Sequence, residues 1–231
     1  MKTMNKNGKK KNKLAVLAAP FIVLLISMAI LLIAAIKPYH KLSVYLNLAF
    51  MDEFKNDPND GSNGLNIVDG DIILDYSGET SSEGSVVRPS FGEQFAVIRS
   101  SGMELSVPVY WGSDRELFER GACQATYSKL PGEAGKTVIS AHEDTFFSEL
   151  SELSVGDNVT VNTNYGEFNY VVKELITFKK TDKKYVNPSD EKELVLYTCK
   201  KDILGASDVR IGVVCELSEQ KFYVNAEGEA Q

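Results

Sequence analysis

Two strand-length segments, Glu193–Cys199 and Val209–Leu217, constrain the fold of this 231-residue chain more than any other feature. The first contains an unbroken apolar run that is too short for a helix, and a polar interval of turn formers separates it from the second. The sequence therefore predicts two strands, with Cys199 at a strand mouth under an overhanging surface loop. Because side chains alternate along a strand, Arg210 shares a face with Gly212. If that face meets Cys199, a thiol and a guanidinium converge.

A nucleophilic thiol needs a partner that moves protons, and the chain contains only two histidines. His40 lies beside an apolar N-terminal segment. His142 follows the apolar run Thr137–Ala141 at the point where it breaks into a polar turn. The sequence therefore predicts His142 at a second strand mouth, as the histidine that acts with Cys199.

These residues resemble the motifs of the sortase family. Leu196–Cys199 is similar to the Thr-Leu-X-Thr-Cys signature, Arg210 follows at the usual spacing, and His142–Phe147 is similar to the His-Arg-Asp-Thr-Phe-Phe block. The resemblance covers roughly Phe91 to Leu217 and is closest to class D or a related class. Two upstream segments also match the family pattern: Val107–Gly112 and Leu130–Glu133.

The resemblance implies a cysteine transpeptidase that cleaves an LPxTG-like sorting signal between Thr and Gly and transfers the acyl group to a cell-wall amine. It implies that Cys199 is the nucleophile, that His142 protonates the leaving amine, and that Arg210 binds the substrate backbone or the oxyanion. It implies neither a metal nor another cofactor. The implied partners are sorting-signal peptides and an amine of the peptidoglycan peptide. The wall of the site is predicted to comprise Ala141, Leu196, Tyr197 and Thr198.

The residues taken alone leave other interpretations open. A strand cysteine is more often a small buried hydrophobic residue, and Arg210 alternatively forms a surface ion pair with Glu216. A non-catalytic, membrane-anchored β binding module is therefore one alternative, with Cys199 as a packing residue. A pilus-assembling sortase is another alternative. The residues after Leu217 are mostly polar and predict no second membrane span, which favours wall anchoring over pilus assembly.

The other two cysteines have no predicted catalytic role. Three cysteines outside a membrane cannot all pair within one chain, so at least one is free. Cys215 is interpreted as a structural residue in its strand. The state of Cys123 stays open, and a bridge between the two has no support in the sequence.

The N-terminus predicts a membrane anchor. Its first thirteen residues carry six lysines and no acid, and the 23 residues of Leu14–Ile36 carry no charge. A helix of that length spans roughly 35 Å and can cross a hydrocarbon core of about 30 Å. The lysines predict a cytoplasmic N-terminus and an extracellular remainder. A cleaved signal peptide is the alternative, but its apolar region is usually about 7 to 15 residues long.

The charge distribution argues against one class of partner. Beyond the six N-terminal lysines the chain has 19 basic and 32 acidic residues, a formal charge near −13. Nucleic acid is excluded as an expected partner because it needs a basic surface.

The spacing of apolar runs from Phe91 onward predicts a mostly antiparallel β fold. The resemblance narrows this to a closed eight-stranded β-barrel with short helices, among them a capped helix at Asp114–Arg120 after Ser113. We divide the chain into a cytoplasmic tail (1–13), a transmembrane helix (14–36), an extracellular linker and N-terminal extension (37–90) and a catalytic barrel (91–231). The remaining predicted strands are Gln94–Arg99, Leu105–Trp111, Thr137–Ala141, Asn158–Asn162 and Glu167–Phe178.

Overall fold

The structure is a computed structural model that describes residues 21–22, 24–28, 67–100, 103–200 and 207–224. Residues 21–22 and 24–28 are helical and exposed, and they belong to a unit, Met1–Lys55, distinct from the unit Asn56–Gln231. Among the described residues, no helix is long and apolar enough to cross a membrane. Most of Leu14–Ile36 lies outside the described residues, so the transmembrane helix stays a prediction.

The unit Asn56–Gln231 is built mainly of β-strands. Their bounds are β1 Thr80–Ser81, β2 Gln94–Ser100, β3 Met103–Trp111, β4 Ala122–Gln124, β5 Thr137–Ala141, β6 Asn158–Thr163, β7 Gly166–Lys179, β8 Glu193–Cys199 and β9 Val209–Tyr223.

The strands close into a barrel. Neighbouring strands follow the order β9-β7-β6-β2-β3-β4-β5-β8, and β8 pairs back onto β9. The pairs β3–β4 and β5–β8 are parallel, whereas the other barrel pairs are antiparallel. β1 adds a two-residue edge to β9 and is not part of the closed ring. The predicted fold, a mostly β, closed eight-stranded barrel with short helices, is confirmed within the described part of the chain.

Alternation of side chains explains how the barrel fills its interior. Along the first half of β7, Phe168, Tyr170 and Val172 are buried, while the residues between them are partly exposed. Aromatic and β-branched residues suit such a half-buried pleated strand. The interior is therefore packed with side chains rather than hollow.

Between the described strands, a short helix and a 3₁₀ turn are present. Helix α1 spans Arg115–Arg120, and the Asp114 carboxylate caps it by accepting the Glu116 N–H at 3.0 Å. The predicted helix thus exists, with Asp114 rather than Ser113 as its cap. A 3₁₀ turn occupies Leu150–Glu152.

The extension that precedes the barrel lies against it from residue 67 onward. Val68 makes an isolated bridge to Glu93, and the Gln94 N–H donates to the Val68 carbonyl at 2.7 Å. Farther along, the Tyr76 ring stacks on Tyr223 with centroids 4.0 Å apart. Residues 67–76 therefore form a strap of irregular backbone along the barrel.

Candidate active site

Strand pairing brings the three predicted catalytic residues to one mouth of the barrel. Cys199 is the last residue of β8, and it lies directly opposite Arg210 near the start of β9. β5 runs parallel to β8, with Ala141 opposite Thr198 as the last pair. His142 follows Ala141 and so lies one position beyond that pair, at the level of Cys199. Since adjacent strands are about 4.8 Å apart, the three residues occupy neighbouring positions.

Cys199 and Arg210 share one face of the sheet, because directly opposite residues on paired strands point the same way. The Cys199 side chain is exposed, and that of Arg210 is half-buried. A thiol and a guanidinium therefore meet at an edge that a peptide can reach from solvent.

Two backbone carbonyls orient the Arg210 guanidinium. Its Nη1 donates to the Ser207 oxygen at 2.8 Å and to the Val209 oxygen at 3.2 Å. The alternative ion pair with Glu216 is not formed, since six residues of strand separate the two positions by about 20 Å. Glu216 instead lies with its Oε2 4.0 Å from Lys173 Nζ.

His142 is exposed on the loop that follows β5. Its ring faces Phe118 of α1, with centroids 5.5 Å apart and planes inclined by 49°. Its carbonyl accepts the Phe147 N–H at 3.1 Å, which closes the turn behind it. Phe146 and Phe147 are buried beneath this turn. The imidazole of His142 is thus exposed to solvent, and the apolar side chains of Phe146 and Phe147 pack beneath its loop.

The four residues predicted as the wall of the site lie on two different faces. Ala141, Leu196 and Thr198 are buried in the barrel, and the Thr198 hydroxyl donates to the Ala141 carbonyl at 2.7 Å. Tyr197 is partly exposed on the face of Cys199, where its ring packs edge-on against Phe178 at 5.7 Å. The role of these four residues as substrate contacts stays a prediction. Among them, Tyr197 has its side chain on the same face of the sheet as Cys199.

The sequence analysis missed the apolar floor beside the thiol. A second set of side chains packs on the outer face of β5, β7, β8 and β9, and the connection between β7 and β8 covers it through Tyr185 and Val186. One sequence signal was present: Leu194, Val195 and Leu196 form an unbroken apolar run in β8, which is typical of a strand covered on both faces. The buried members are Val138, Ile176, Phe178, Val186, Val195 and Val214.

Gly212 was placed on the correct face, but its role was not recognised. It lies opposite Tyr197 in the β8–β9 ladder. A Cβ at Gly212 would overlap the carbonyl oxygen of Leu196 and lie 2.9 Å from the Tyr197 Cα. Any side chain there would push apart the strands that carry Cys199 and Arg210.

The other two thiols are enclosed. Cys123 and Cys215 are both buried and unbridged, and burial raises the pKa of each to about 12. A thiol that keeps its proton is a poor nucleophile. Within the described ranges, no group of three or more His, Cys, Asp or Glu side chains could hold a metal ion.

Comparisons with known proteins point to one family. The family model described as "Sortase domain" matches residues 98–218. Sortase D of Bacillus subtilis (strain 168) is 31% identical over 113 residues, which cover 48% of this chain and 57% of that protein. The chain therefore spans little more than half the length of this curated relative.

Two solved structures share the fold at low sequence identity. Listeria monocytogenes sortase A superposes with a TM-score of 0.52 at 19% identity, covering 58% of this chain and 92% of that one. The Clostridium perfringens sortase D5 transpeptidase gives 0.52 at 23% identity, covering 57% and 82%. At these identities the superpositions establish the fold alone.

Proposed function

This chain belongs to the sortase family, whose members are cysteine transpeptidases, and we propose that it cleaves an LPxTG-like sorting signal between Thr and Gly and passes the acyl group to an amine. One observation carries the proposal. The register of β5, β8 and β9 sets Cys199 opposite Arg210 and leaves His142 one residue past the last β5–β8 pair. A nucleophile, a proton carrier and an anion ligand are what acyl transfer requires.

The proposed reaction has two halves. Cys199 Sγ attacks the Thr carbonyl carbon as a thiolate, a C–S bond forms, and the C–N bond to Gly breaks while His142 gives its proton to the leaving amine. The acceptor amine then attacks the thioester, gives a proton to His142, and releases the Cys199 sulfur. Arg210 stabilises the oxyanion in both halves. Because one group must be deprotonated while the other is protonated, kcat/KM has a bell-shaped pH dependence whose limbs belong to the coupled pair.

The proposed location is the outer face of a Gram-positive membrane, with the N-terminus in the cytoplasm. The support is the uncharged segment Leu14–Ile36 behind six lysines. The proposed acceptor is an amine of the peptidoglycan peptide. A pilus-assembling role would use a protein lysine instead, so the acceptor is a direct object of the test.

The test incubates the full-length chain with a library of LPxTG-like peptides and two acceptors, a peptidoglycan stem peptide and a lysine-containing peptide. Mass spectrometry should find a thioester on Cys199 and a product joined to the stem peptide. Product on the lysine peptide alone would favour pilus assembly. The Cys199→Ala variant is the control for both signals.

A thiol reagent distinguishes the non-catalytic alternative. We expect a methanethiosulfonate to modify one thiol of the folded chain, Cys199, and to leave the two buried ones intact. Reagent modification without thioester or product from any peptide would contradict transpeptidation and favour a binding module.

A further inference from the structure

Phe118 contacts His142, although Phe118 lies in α1 and the candidate site is built from the ends of β5, β8 and β9. The ring centroids are 5.5 Å apart and the planes are inclined by 49°. His142 is exposed on a loop, where an unsupported imidazole samples several rotamers. An aromatic neighbour at this distance favours one ring orientation over the others.

The position of Phe118 is set by a small apolar cluster. Tyr110 of β3, Leu117 of α1 and Cys123 of β4 are all fully buried, and Phe118 and Ile67 both pack against them. A helix of six residues is not stable by itself, so packing of this kind must hold α1 in place. Whatever fixes the cluster also fixes Phe118.

The extension closes this cluster from outside. The Tyr110 hydroxyl donates to Asp69 Oδ1 at 2.7 Å, and burial together with this bond raises the pKa of Tyr110 well above its usual range. Two backbone hydrogen bonds of Val68 tie the same short segment to the start of β2 and the turn before it: the Val68 N–H donates to the Gly92 carbonyl, and the Val68 carbonyl accepts from the Gln94 N–H. The segment 67–69 is therefore a fixed part of the structure that supports α1.

We propose that Phe118 is a positioning residue for His142, and that the extension supports it through Ile67 and the bond between Asp69 and Tyr110. The inference rests on the proposed function, because the orientation matters for proton transfer between Cys199, His142 and the leaving amine. Proton transfer needs heavy atoms within about 3 Å, so a loosely held imidazole spends less time in the reactive geometry. Phe118 thereby acts on the rate of the chemical step.

A spectroscopic test needs no substrate. The full-length chain has two histidines, so labelling with ¹³C-histidine gives two sets of ring signals, and a His40→Gln variant assigns them. We expect the His142 ring protons of the folded wild type to be displaced from their positions in the denatured chain by the Phe118 ring current. The displacement should vanish in Phe118→Leu and remain in Phe118→Tyr. Its absence in the wild type would overturn the inference.

A kinetic test separates positioning from general stability. We expect Phe118→Leu to lower kcat roughly 10-fold with little change in KM, and Phe118→Tyr to restore it, because the ring is kept. Tyr110→Phe removes only the bond to Asp69 and should give a smaller loss in the same direction. The matched control is Phe222→Leu, the same change in a buried aromatic group twelve residues along β9 from Arg210.

The outcomes are distinct from those of the proposed function. A wild type that cleaves no peptide contradicts the function, while the ring-current measurement still tests the contact. Active wild type with normal kcat in Phe118→Leu overturns the positioning role, as does an equal loss of kcat in Phe222→Leu. If Phe118→Leu does not fold, a wild-type kcat in Tyr110→Phe together with an undisplaced His142 signal overturns it.

Discussion

Two cysteines on one strand ladder have opposite environments. Cys215 lies opposite Leu194 near one end of the β8–β9 pairing and is fully buried, whereas Cys199 lies opposite Arg210 at the other end and is exposed. The first is enclosed by apolar neighbours, and burial raises its pKa to about 12. The second has a guanidinium across the ladder and a histidine at the same level.

The difference shows that the position of a cysteine in the sheet, rather than its residue type, decides whether its thiol is enclosed or open to solvent. Cys215 lies in the middle of β9, paired with β7 on one side and β8 on the other, and its side chain is on the face opposite that of Arg210, where it is buried. A thiol there behaves as a small apolar side chain. At the end of the ladder the strands give way to loops, and a rigid backbone presents its side chains to solvent.

The largest expected effect comes from exchanging each thiol for alanine. Cys199→Ala should lose all peptide cleavage and keep its melting temperature, because the exposed side chain packs little. Cys215→Ala should keep cleavage and lose stability on the order of 1 kcal/mol or more, since it leaves a cavity. Steady-state kinetics and thermal unfolding of both variants provide the comparison. Cleavage that survives in Cys199→Ala would contradict the assignment of the nucleophile.

The next effect concerns Arg210, the partner that only the exposed thiol has. Loss of one oriented donor to the oxyanion lowers kcat/KM on the order of 10²-fold, so Arg210→Ala should fall by that factor. Arg210→Lys should fall nearly as far, because a lysine cannot reproduce the planar fork. Near-normal turnover in Arg210→Ala would remove Arg210 from the site.

A smaller effect appears in alkaline unfolding. A folded-state pKa near 12 at Cys215 exceeds the unfolded value of about 8.5, so above about pH 9 the unfolded chain loses a proton that the folded chain keeps. Stability from this thiol is therefore complete below about pH 8.5 and declines as the pH rises toward about 12. Denaturant unfolding between pH 8 and 10.5 should show a shallower decline in Cys215→Ala than in the wild type. Cys199→Ala is the control, and an unchanged slope in Cys215→Ala would refute the argument.

The smallest effect is expected at Glu216, which shares a strand with Arg210 and is remote from the site. Its ion pair with Lys173 is exposed and long at 4.0 Å, so Glu216→Ala should change stability by about 0.5 kcal/mol or less. Its kcat/KM should equal that of the wild type. A marked loss of turnover would mean that the sheet transmits changes from the middle of β9 to its end.

The sequence predicted the strands whose apolar pattern is complete. Thr137–Ala141 has the predicted bounds of β5, and the strands on either side of Cys199 and Arg210 begin where expected. β4 was missed because a strand of three residues is too short to show the alternation of apolar and polar residues that identifies a strand. β9 continues to Tyr223 rather than ending at Leu217, since the polar residues between them pair with β7 on an exposed surface.

The site was predictable only in its chemistry. Cys199, His142 and Arg210 stand out as residue types at strand mouths, and the family motif supports each. The floor around Phe178 and the contact between Phe118 and His142 depend on segments far apart in the chain. Local sequence patterns do not indicate which loop packs over a sheet or which helix contacts a particular histidine.

The enclosure of two of the three sulfurs has a consequence for oxidative damage. An exposed thiol oxidised to a sulfenic acid is usually rescued when a nearby thiol condenses with it to form a disulfide. Here the other two sulfurs, Cys123 and Cys215, are buried and cannot reach Cys199 without unfolding. Recovery of Cys199 therefore depends on a small thiol supplied from outside, and a second oxidation before that encounter gives a sulfinic acid, which thiols do not reduce.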